Sequence, residues 1–147
     1  LARLEEAELA LYAQHIDRMN LQTLLAIFRE DPESCLLGTD AVRDGIDVPG
    51  AALRLIVFER MPWPRSDILF QARAEWQGRD AWTERIARLK LRQAFGRLIR
   101  NANDRGVFVM LDSRLPTRLT SAFPVDVEVE RIGLAEAIGI TGNFLSK

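Results

Sequence analysis

Short apolar runs alternate with helical stretches along this chain, and this alternation constrains the possible folds more than any other feature of the sequence. The runs are bounded by turn-forming residues, which predicts strands at residues 9–14, 34–38, 53–58 and 107–111. Helices are predicted after the N-cap residue Asn20 and from about residue 66 to residue 101, with a break near Gly78. Strands that alternate with helices predict a parallel α/β sheet covered on both faces.

Three further elements complete the predicted topology. Residues 1–8 are expected to end an amphipathic helix, residues 125–132 to form a half-exposed edge strand of alternating valines and acidic residues, and residues 134–138 to form a helix. Ligands of parallel sheets bind beyond the carboxyl ends of the strands. The loops after Gly38, Arg60 and Leu111 are therefore where a functional site is expected.

The composition excludes several classes of site. Among 147 residues, 20 Lys and Arg nearly balance 21 Asp and Glu, so any binding of nucleic acid must come from local clusters of basic residues. A single cysteine, Cys35, excludes a disulfide framework and an all-thiolate metal site, and its apolar strand predicts a buried, unreactive thiol. With one histidine, we expect no metal site in the chain. No apolar run approaches the roughly 20 residues that span a bilayer, so no membrane partner is expected.

One candidate site lies near the end of the long helical stretch. At 100° per residue, Gln93, Arg97 and Arg100 fall within about 60° of one another on a helix. Four apolar residues point the opposite way, toward the sheet: Leu91, Ala94, Phe95 and Leu98. Two guanidiniums presented together suit a phosphate, because each offers a planar fork of donors. The alternative interpretation is an ordinary solvated basic face.

Two other features of the same stretch favour an anionic partner. Residues 85–105 contain seven Arg or Lys against one Asp, which fits either a nucleotide or a nucleic acid. Gly96 costs a helix about 1 kcal/mol relative to Ala. We therefore expect either a close approach of another group to the backbone at Gly96 or tight packing of this helix against another segment.

A second candidate site follows the predicted strand at residues 34–38. Thr39 and the backbone amides of this loop suit phosphates of a nucleic-acid strand, Gly45 permits a tight turn, and Asp47 can accept hydrogen bonds from an arginine or a ribose hydroxyl. The alternative is an ordinary connection, since Asp, Gly and Pro mark loops in any protein. Farther along, Trp63 lies between two prolines and is either a packing residue or a platform for an unstacked base.

Together the two segments resemble motifs of superfamily 2 helicases of the DinG/XPD group. Residues 39–50 (TDAVRDGIDVPG) are similar to helicase motif V, and residues 93–100 (QAFGRLIR) are similar to motif VI. Their flanks also resemble the family: residues 61–64 (MPWP), 89–93 (LKLRQ) and 104–115 (DRGVFVMLDSRL). The likeness covers roughly residues 9–138. Two motifs in the right order with matching flanks make this resemblance specific.

The resemblance implies a RecA-like, three-layer α/β sandwich with a mainly parallel central sheet. It also implies that Arg97 and Arg100 reach ATP held by another domain, with Arg100 as the arginine finger, and that Gln93 contacts the phosphates or the attacking water. Gly45 and Asp47 would couple the nucleotide to the DNA. Single-stranded DNA is expected at four residues: Thr39, Asp40, Arg43 and Trp63. Where many relatives carry Ser-x-Trp-Glu-Gly, this chain has residues 41–45 (AVRDG), with Asp44 as a substitute for the Glu.

The sequence lacks the parts of such an enzyme that hold the nucleotide. It contains no Gly-x-x-x-x-Gly-Lys-Ser/Thr phosphate loop and no Asp-Glu-x-His box for Mg²⁺. We therefore expect residues 1–147 to be a single C-terminal motor domain of a longer, bacterial, cytoplasmic helicase. Its partner would be the N-terminal motor domain of the same chain, which would hold ATP, Mg²⁺ and any iron–sulfur cluster. Two alternatives stay open: a nucleic-acid-binding module without ATPase function, and a protein-interaction module on a RecA-like scaffold.

Overall fold

The computed structural model describes residues 9–48 and 52–146. Within these two ranges the strands are β1 (Leu11–Ala13), β2 (Cys35–Leu37), β3 (Leu55–Phe58) and β4 (Val107–Met110). The α-helices of the same ranges are α1 (Leu21–Glu30), α2 (Asp40–Gly45), α3 (Ile68–Gln77), α4 (Arg79–Leu98) and α5 (Leu134–Leu145), and a 3-10 helix covers Thr117–Ala122. The predicted helix at residues 1–8 lies outside the described residues. No helix of the described part is long and apolar enough to cross a membrane.

Local sequence signals explain where the helices begin and end. The side chain of Asn20 accepts a hydrogen bond from the backbone N–H of Thr23, which caps α1 as predicted. The side chain of Asp67 caps α3 in the same way, through the N–H of Phe70. Gly78 separates α3 from α4 with φ +84°, a backbone conformation that glycine adopts without strain. The predicted break in the long helical stretch is therefore confirmed.

The strands form two parallel pairs. β1 pairs with β2, with Leu11 opposite Cys35, and β3 pairs with β4, with Leu55 opposite Val107. The parallel α/β class is thus confirmed. Among the described residues, however, the two pairs are separate two-stranded sheets and not one central sheet, because no ladder joins them.

Helix α4 connects the two halves of the hydrophobic core. Leu98, near its end, packs in a cluster with residues of α1 and α2, whereas Leu91 packs against Met61 and Leu119 in a second cluster. Phe108 of β4 packs against both clusters. The contact of α4 with β4 requires a glycine, because a Cβ at Gly106 would lie 2.5 Å from Cδ1 of Leu98. The apolar face predicted for this helix is confirmed.

Three expectations about the fold are wrong. Residues 125–132 form no strand, since they begin within a turn in which the N–H of Val127 donates to the carbonyl of Pro124 and have no strand partner among the described residues. Cys35 is exposed, because alternate residues of β2 point away from the core. The final helix, α5, is longer than predicted, and none of its residues is buried.

Candidate nucleotide- and nucleic-acid-binding site

The loop after β2 begins with a short helix and not with the irregular connection that its composition suggested. A Cβ at Gly38 would lie 2.1 Å from a methyl carbon of Val42, so glycine is required where α2 turns back onto the end of β2. Gly45 ends α2 without a left-handed turn, and a Cβ there would make only ordinary contacts with Leu21 and Leu25. The special backbone freedom of glycine is therefore not used at Gly45. Pro49 and Gly50, the end of the motif V segment, lie outside the described residues.

Thr39 is held at the carboxyl edge of the β1–β2 pair. The side-chain carbonyl of Gln14, which follows β1, accepts hydrogen bonds from the backbone N–H of Thr39 (2.9 Å) and from its hydroxyl (3.0 Å). Gln14 was not among the predicted site residues. The signal was available, because two parallel neighbouring strands bring the residues that follow them to the same edge. Gln14 therefore orients the residue predicted to contact the nucleic-acid backbone.

The end of α4 differs from the helix drawn from the sequence. Because Ile99 is extended, with φ −120° and ψ 103°, the helix ends at Leu98 and Arg100 lies beyond it. The carboxylate of Asp104 accepts hydrogen bonds from the backbone N–H groups of Arg100 (2.8 Å) and Asn101 (2.9 Å). These two bonds lower the pKa of Asp104. The predicted placement of Arg100 on the helical face is thus wrong, and the turn bound by Asp104 sets its backbone position instead.

Three bonds join the second half of α4 and the turn that follows it to residues 40–47, the segment that begins with α2. Nζ of Lys90 lies 3.0 Å from Oδ2 of Asp40, and Nη2 of Arg97 donates to the main-chain carbonyl of Asp44 at 3.3 Å. In the third, the guanidinium of Arg100 pairs with the carboxylate of Asp47. We call these three bonds the α2–α4 ladder. The residue numbers of both partners increase from one bond to the next, so residues 40–47 run alongside residues 90–100 in the same direction.

The two partners of the Arg100–Asp47 bond differ in their exposure to solvent. The Asp47 side chain is 69% exposed, whereas that of Arg100 is 22% exposed. The hydrogen bond from Arg100, together with its charge, lowers the pKa of Asp47, so the carboxyl group stays ionised at neutral pH. Nη2 of Arg100 is buried and has no hydrogen-bond partner among the described residues. Arg100 therefore has an unused donor beside the one that bonds to Asp47.

The remaining predicted contacts to nucleic acid have different surroundings. The Arg43 side chain is only 10% exposed and bonds to both Asp40 and Asp44, so it has little surface to offer a phosphate. Trp63 is exposed in the loop after β3. The charge of Arg65, two residues farther on, contributes to lowering the pKa of Asp40, which indicates that this loop lies near the start of α2. Gln93 is exposed on α4.

The loops after β3 and β4 are tied together by one carboxylate. Asp112, whose side chain is 5% exposed, accepts hydrogen bonds from the backbone N–H of Met61 (3.1 Å) and from the backbone and side chain of Arg114. The side-chain bond from Arg114 and the two backbone bonds lower the pKa of Asp112 strongly. The salt bridge to Arg114 and the bond from Met61 therefore fix the loop that carries Trp63.

A different face of α4 borders an open groove of about 470 Å³. Its lining is mostly apolar and includes Phe95, Gly96, Ile99 and Phe123. The rings of Phe95 and Phe123 meet edge to face, with centroids 5.4 Å apart. A Cβ at Gly96 would meet no atom of the described residues within 4 Å. The expectation that Gly96 permits tight packing within this part of the chain is therefore wrong, and the backbone at Gly96 is open.

Comparison with known proteins decides the family. The family described as "Helicase C-terminal domain" matches residues 2–129. The chain belongs to the helicase C-terminal domain family. It is 41% identical over 102 residues to the "ATP-dependent helicase DinG" of Mycobacterium tuberculosis (strain ATCC 25177 / H37Ra), which covers 65% of this chain and 15% of that protein.

Two other relatives support the same family. The chain is 37% identical over 102 residues to the "ATP-dependent DNA helicase YoaA" of Haemophilus influenzae, covering 65% of this chain and 16% of that protein. It is 32% identical over 114 residues to the "3'-5' exonuclease DinG" of Bacillus subtilis, covering 73% of this chain and 12% of that protein. This helicase C-terminal domain thus spans less than a fifth of the length of each of these relatives. The family match includes both sides of the α2–α4 ladder and ends before α5.

Proposed function

We propose that this chain is the second motor domain of an ATP-dependent DNA helicase, with a RecA-like three-layer architecture and a site shared between two motor domains. The relatives named as ATP-dependent helicases support this function, and their greater length supports a site completed by another part of a longer protein. In this proposal, residues 1–147 form one domain. The preceding domain contains the phosphate loop and the carboxylates that bind Mg²⁺, and any iron–sulfur cluster belongs there too.

The observation that carries this proposal is the unused donor of Arg100. Nη2 is buried without a hydrogen-bond partner among the described residues, while Nη1 bonds to Asp47. A buried donor without a partner is costly, and a phosphate oxygen would satisfy it with a charge-assisted hydrogen bond once this partly exposed side chain turns Nη2 toward it. The chemistry of this residue therefore fits ATP. When bound, ATP with Mg²⁺ supplies the phosphoryl group that is transferred to water.

In this site the residues of the chain would orient and neutralise the phosphates. Arg100 is the proposed arginine finger, and Arg97, near the end of α4, is the second guanidinium, which bonds to the same Asp44–Asp47 segment as Arg100. Gln93, which is exposed on α4, would contact the phosphates or orient the attacking water. Asp47 would hold Arg100 until the phosphates arrive, and Gly45 would keep the end of α2 close to α1. The open backbone at Gly96 supports a close approach of the preceding domain on this helix.

Single-stranded DNA is proposed to run along the start of α2 and the loop after β3. Thr39, oriented by Gln14, would contact a phosphate, and exposed Trp63 would stack on a base. Asp40 and Arg43, which bond to each other, would stabilise the helix α2 that presents this surface. The proposed DNA groove therefore depends on Thr39 and Trp63 more than on the charged residues of α2.

The test is ATP hydrolysis by the longer protein that contains this chain, with and without single-stranded DNA. Arg100→Ala is expected to lower kcat about 10³- to 10⁵-fold, or about 4–7 kcal/mol of transition-state stabilisation, with ATP binding largely retained. Arg105→Ala is the matched control, because Arg105 lies in the same basic stretch but stacks over Phe144, 5.5 Å from its centroid. Unchanged turnover with Arg100→Ala would overturn the proposal, as would a micromolar dissociation constant for ATP with residues 1–147 alone.

A further inference from the structure

Lys90 provides the first bond of the α2–α4 ladder, although no part of the proposed chemistry uses it. It lies on α4 seven residues before Arg97, and a separation of seven residues returns to the same helical face. Its side chain is only 18% exposed, and Nζ lies 3.0 Å from Oδ2 of Asp40, the first residue of α2. Lys90 therefore connects the start of α2 directly to α4, the helix that carries Arg97 and leads into Arg100.

The carboxylate of Asp40 is bound from several sides. Oδ1 accepts from Nη1 of Arg43 at 2.9 Å, while Oδ2 accepts from Lys90. Burial raises the pKa of Asp40, but the bond from Lys90 and the charges of Arg43, Lys90 and Arg65 outweigh it, so the pKa is lowered. Asp40, whose side chain is 61% exposed, is thus an anion at neutral pH that bonds to α4 through Lys90 and to its own helix through Arg43. It is also the immediate neighbour of Thr39, the proposed contact to the DNA backbone.

These contacts form a short mechanical path. A displacement of Thr39 would move the start of α2, because Thr39 is its N-cap residue and the helix has only six residues. The bond from Lys90 would transmit that displacement to α4. Lys90 lies about 10 Å before Arg97 along the helix axis, at 1.5 Å per residue. At the far end of the ladder, Arg97 and Arg100 bond to the same segment that Asp40 begins. The path therefore connects the proposed DNA contact to the proposed arginine finger through bonded groups and one rigid helix.

We propose that Lys90 and Asp40 are positioning residues that couple the binding of single-stranded DNA to ATP hydrolysis. This inference rests on the proposed function. Neither residue touches the nucleotide. Their bond sets the position of α2 against α4, and hence the position of Arg97 and Arg100, according to whether DNA occupies the start of α2. Coupling of this kind has a typical strength of about 5- to 150-fold in an equilibrium or rate.

The experiment measures ATP hydrolysis by the longer protein, without DNA and at saturating single-stranded DNA. Lys90→Met is expected to lower the ratio of the two rates at least about fivefold while the rate without DNA changes less than about twofold. Lys90→Arg keeps the charge and the bond to Asp40, so it is expected to restore most of the stimulation. Arg85→Met removes a charge from the same helix, where Arg85 stacks over Trp82, and is expected to leave the ratio unchanged.

A double-mutant cycle with Asp40→Asn assigns the effect to the bond itself. If Lys90 and Asp40 act through each other, the double variant is expected to lose no more stimulation than the stronger single variant. The inference would be overturned by normal DNA stimulation in Lys90→Met, or by an equal fall in the rates with and without DNA. Additive losses of stimulation in the double-mutant cycle would also overturn it. The test of the proposed function, Arg100→Ala, is independent of this one. If Arg100→Ala loses hydrolysis while Lys90→Met keeps normal stimulation by DNA, the proposed function stands and only the coupling is rejected.

Discussion

The two sides of helix α4 differ in how much of their surroundings the chain itself supplies. On the buried side, Ala87, Leu91 and Ala94 are at most 1% exposed and pack into the core. On the other side, Gln93 is exposed, and a Cβ at Gly96 would meet no atom of the described residues. The buried side is therefore complete within the chain, whereas the outer side presents polar groups and open backbone that suit contacts from outside.

This difference teaches which substitutions report on folding and which on function. A residue whose contacts lie inside the chain contributes to stability whether or not a partner is present. A residue with an open environment contributes little to stability, so any loss of activity on its substitution reports on the missing partner. The α2–α4 ladder lies between these extremes, because its charged groups are bonded within the chain but remain partly exposed.

The largest expected contrast is between Leu91→Ala and Gln93→Ala. Leu91 is 0% exposed, so its truncation leaves a cavity and is expected to cost about 2–5 kcal/mol of the free energy of unfolding. Gln93→Ala is expected to change that free energy by no more than about 0.5 kcal/mol. Urea unfolding of residues 1–147 measures both values. Equal losses for the two variants would show that the sides of α4 do not differ in this way.

Gly96→Ala sharpens the contrast, because stability and activity are expected to move in opposite directions. A Cβ at Gly96 meets nothing within 4 Å, so the alanine is expected to stabilise the chain by about 1 kcal/mol through its higher helix propensity. In the longer protein, the added methyl group is expected to obstruct the approaching domain and lower ATP turnover. Unfolding of residues 1–147 and ATP hydrolysis by the longer protein test the two halves of this prediction.

The matched control for Gly96→Ala is Gly139→Ala. Gly139 also lies inside a helix, α5, and a Cβ there would likewise meet nothing within 4 Å. A similar gain in stability is expected, without loss of turnover, because α5 lies beyond the residues that match the family. A loss of turnover in both variants, or in neither, would contradict a partner that approaches α4 at Gly96.

Much of the fold was predictable because local signals agreed with the final structure. The strands at β1 to β4, the cap at Asn20 and the break at Gly78 follow from apolar runs, hydrogen-bonding side chains and backbone freedom. The segment at residues 125–132 shows the limit of such reasoning. Its alternating pattern is typical of a strand, but a strand also requires a neighbour to pair with, and the pattern alone does not reveal one.

The geometry of the candidate site could not be predicted from the sequence. Helical spacing grouped Arg97 with Arg100, the family resemblance added Asp47, and the described structure contains the Arg100–Asp47 bond. The carboxylate of Asp104 binds two backbone N–H groups just after α4 ends at Leu98. The helical pattern of the sequence did not predict this end. Lys90 and Gln14 were missed for a related reason, because their partners are 50 and 25 residues away in sequence.

The smallest expected effect compares two carboxylates, Asp112 and Asp47, at acid pH. Arginine bonds lower the pKa of both, but Asp112 is 5% exposed and also accepts two backbone bonds, whereas Asp47 is 69% exposed. A lowered pKa means that the stabilisation is fully present above the unfolded value of 3.8 and is lost as the pH falls through the folded pKa. The chain is therefore expected to lose stability below about pH 4.

Single substitutions separate the two contributions. Asp112→Asn is expected to lower the Tm at pH 7 and to make the fall of stability below pH 4 shallower, because one proton-binding group of the unfolded chain is gone. Asp47→Asn is expected to do the same to a smaller extent, since its exposed bond is weakened by solvent. Thermal unfolding of residues 1–147 at pH values from 2 to 7 measures both. A larger effect for Asp47 would mean that the ladder, and not the tie between the loops after β3 and β4, is the stronger electrostatic support of the site.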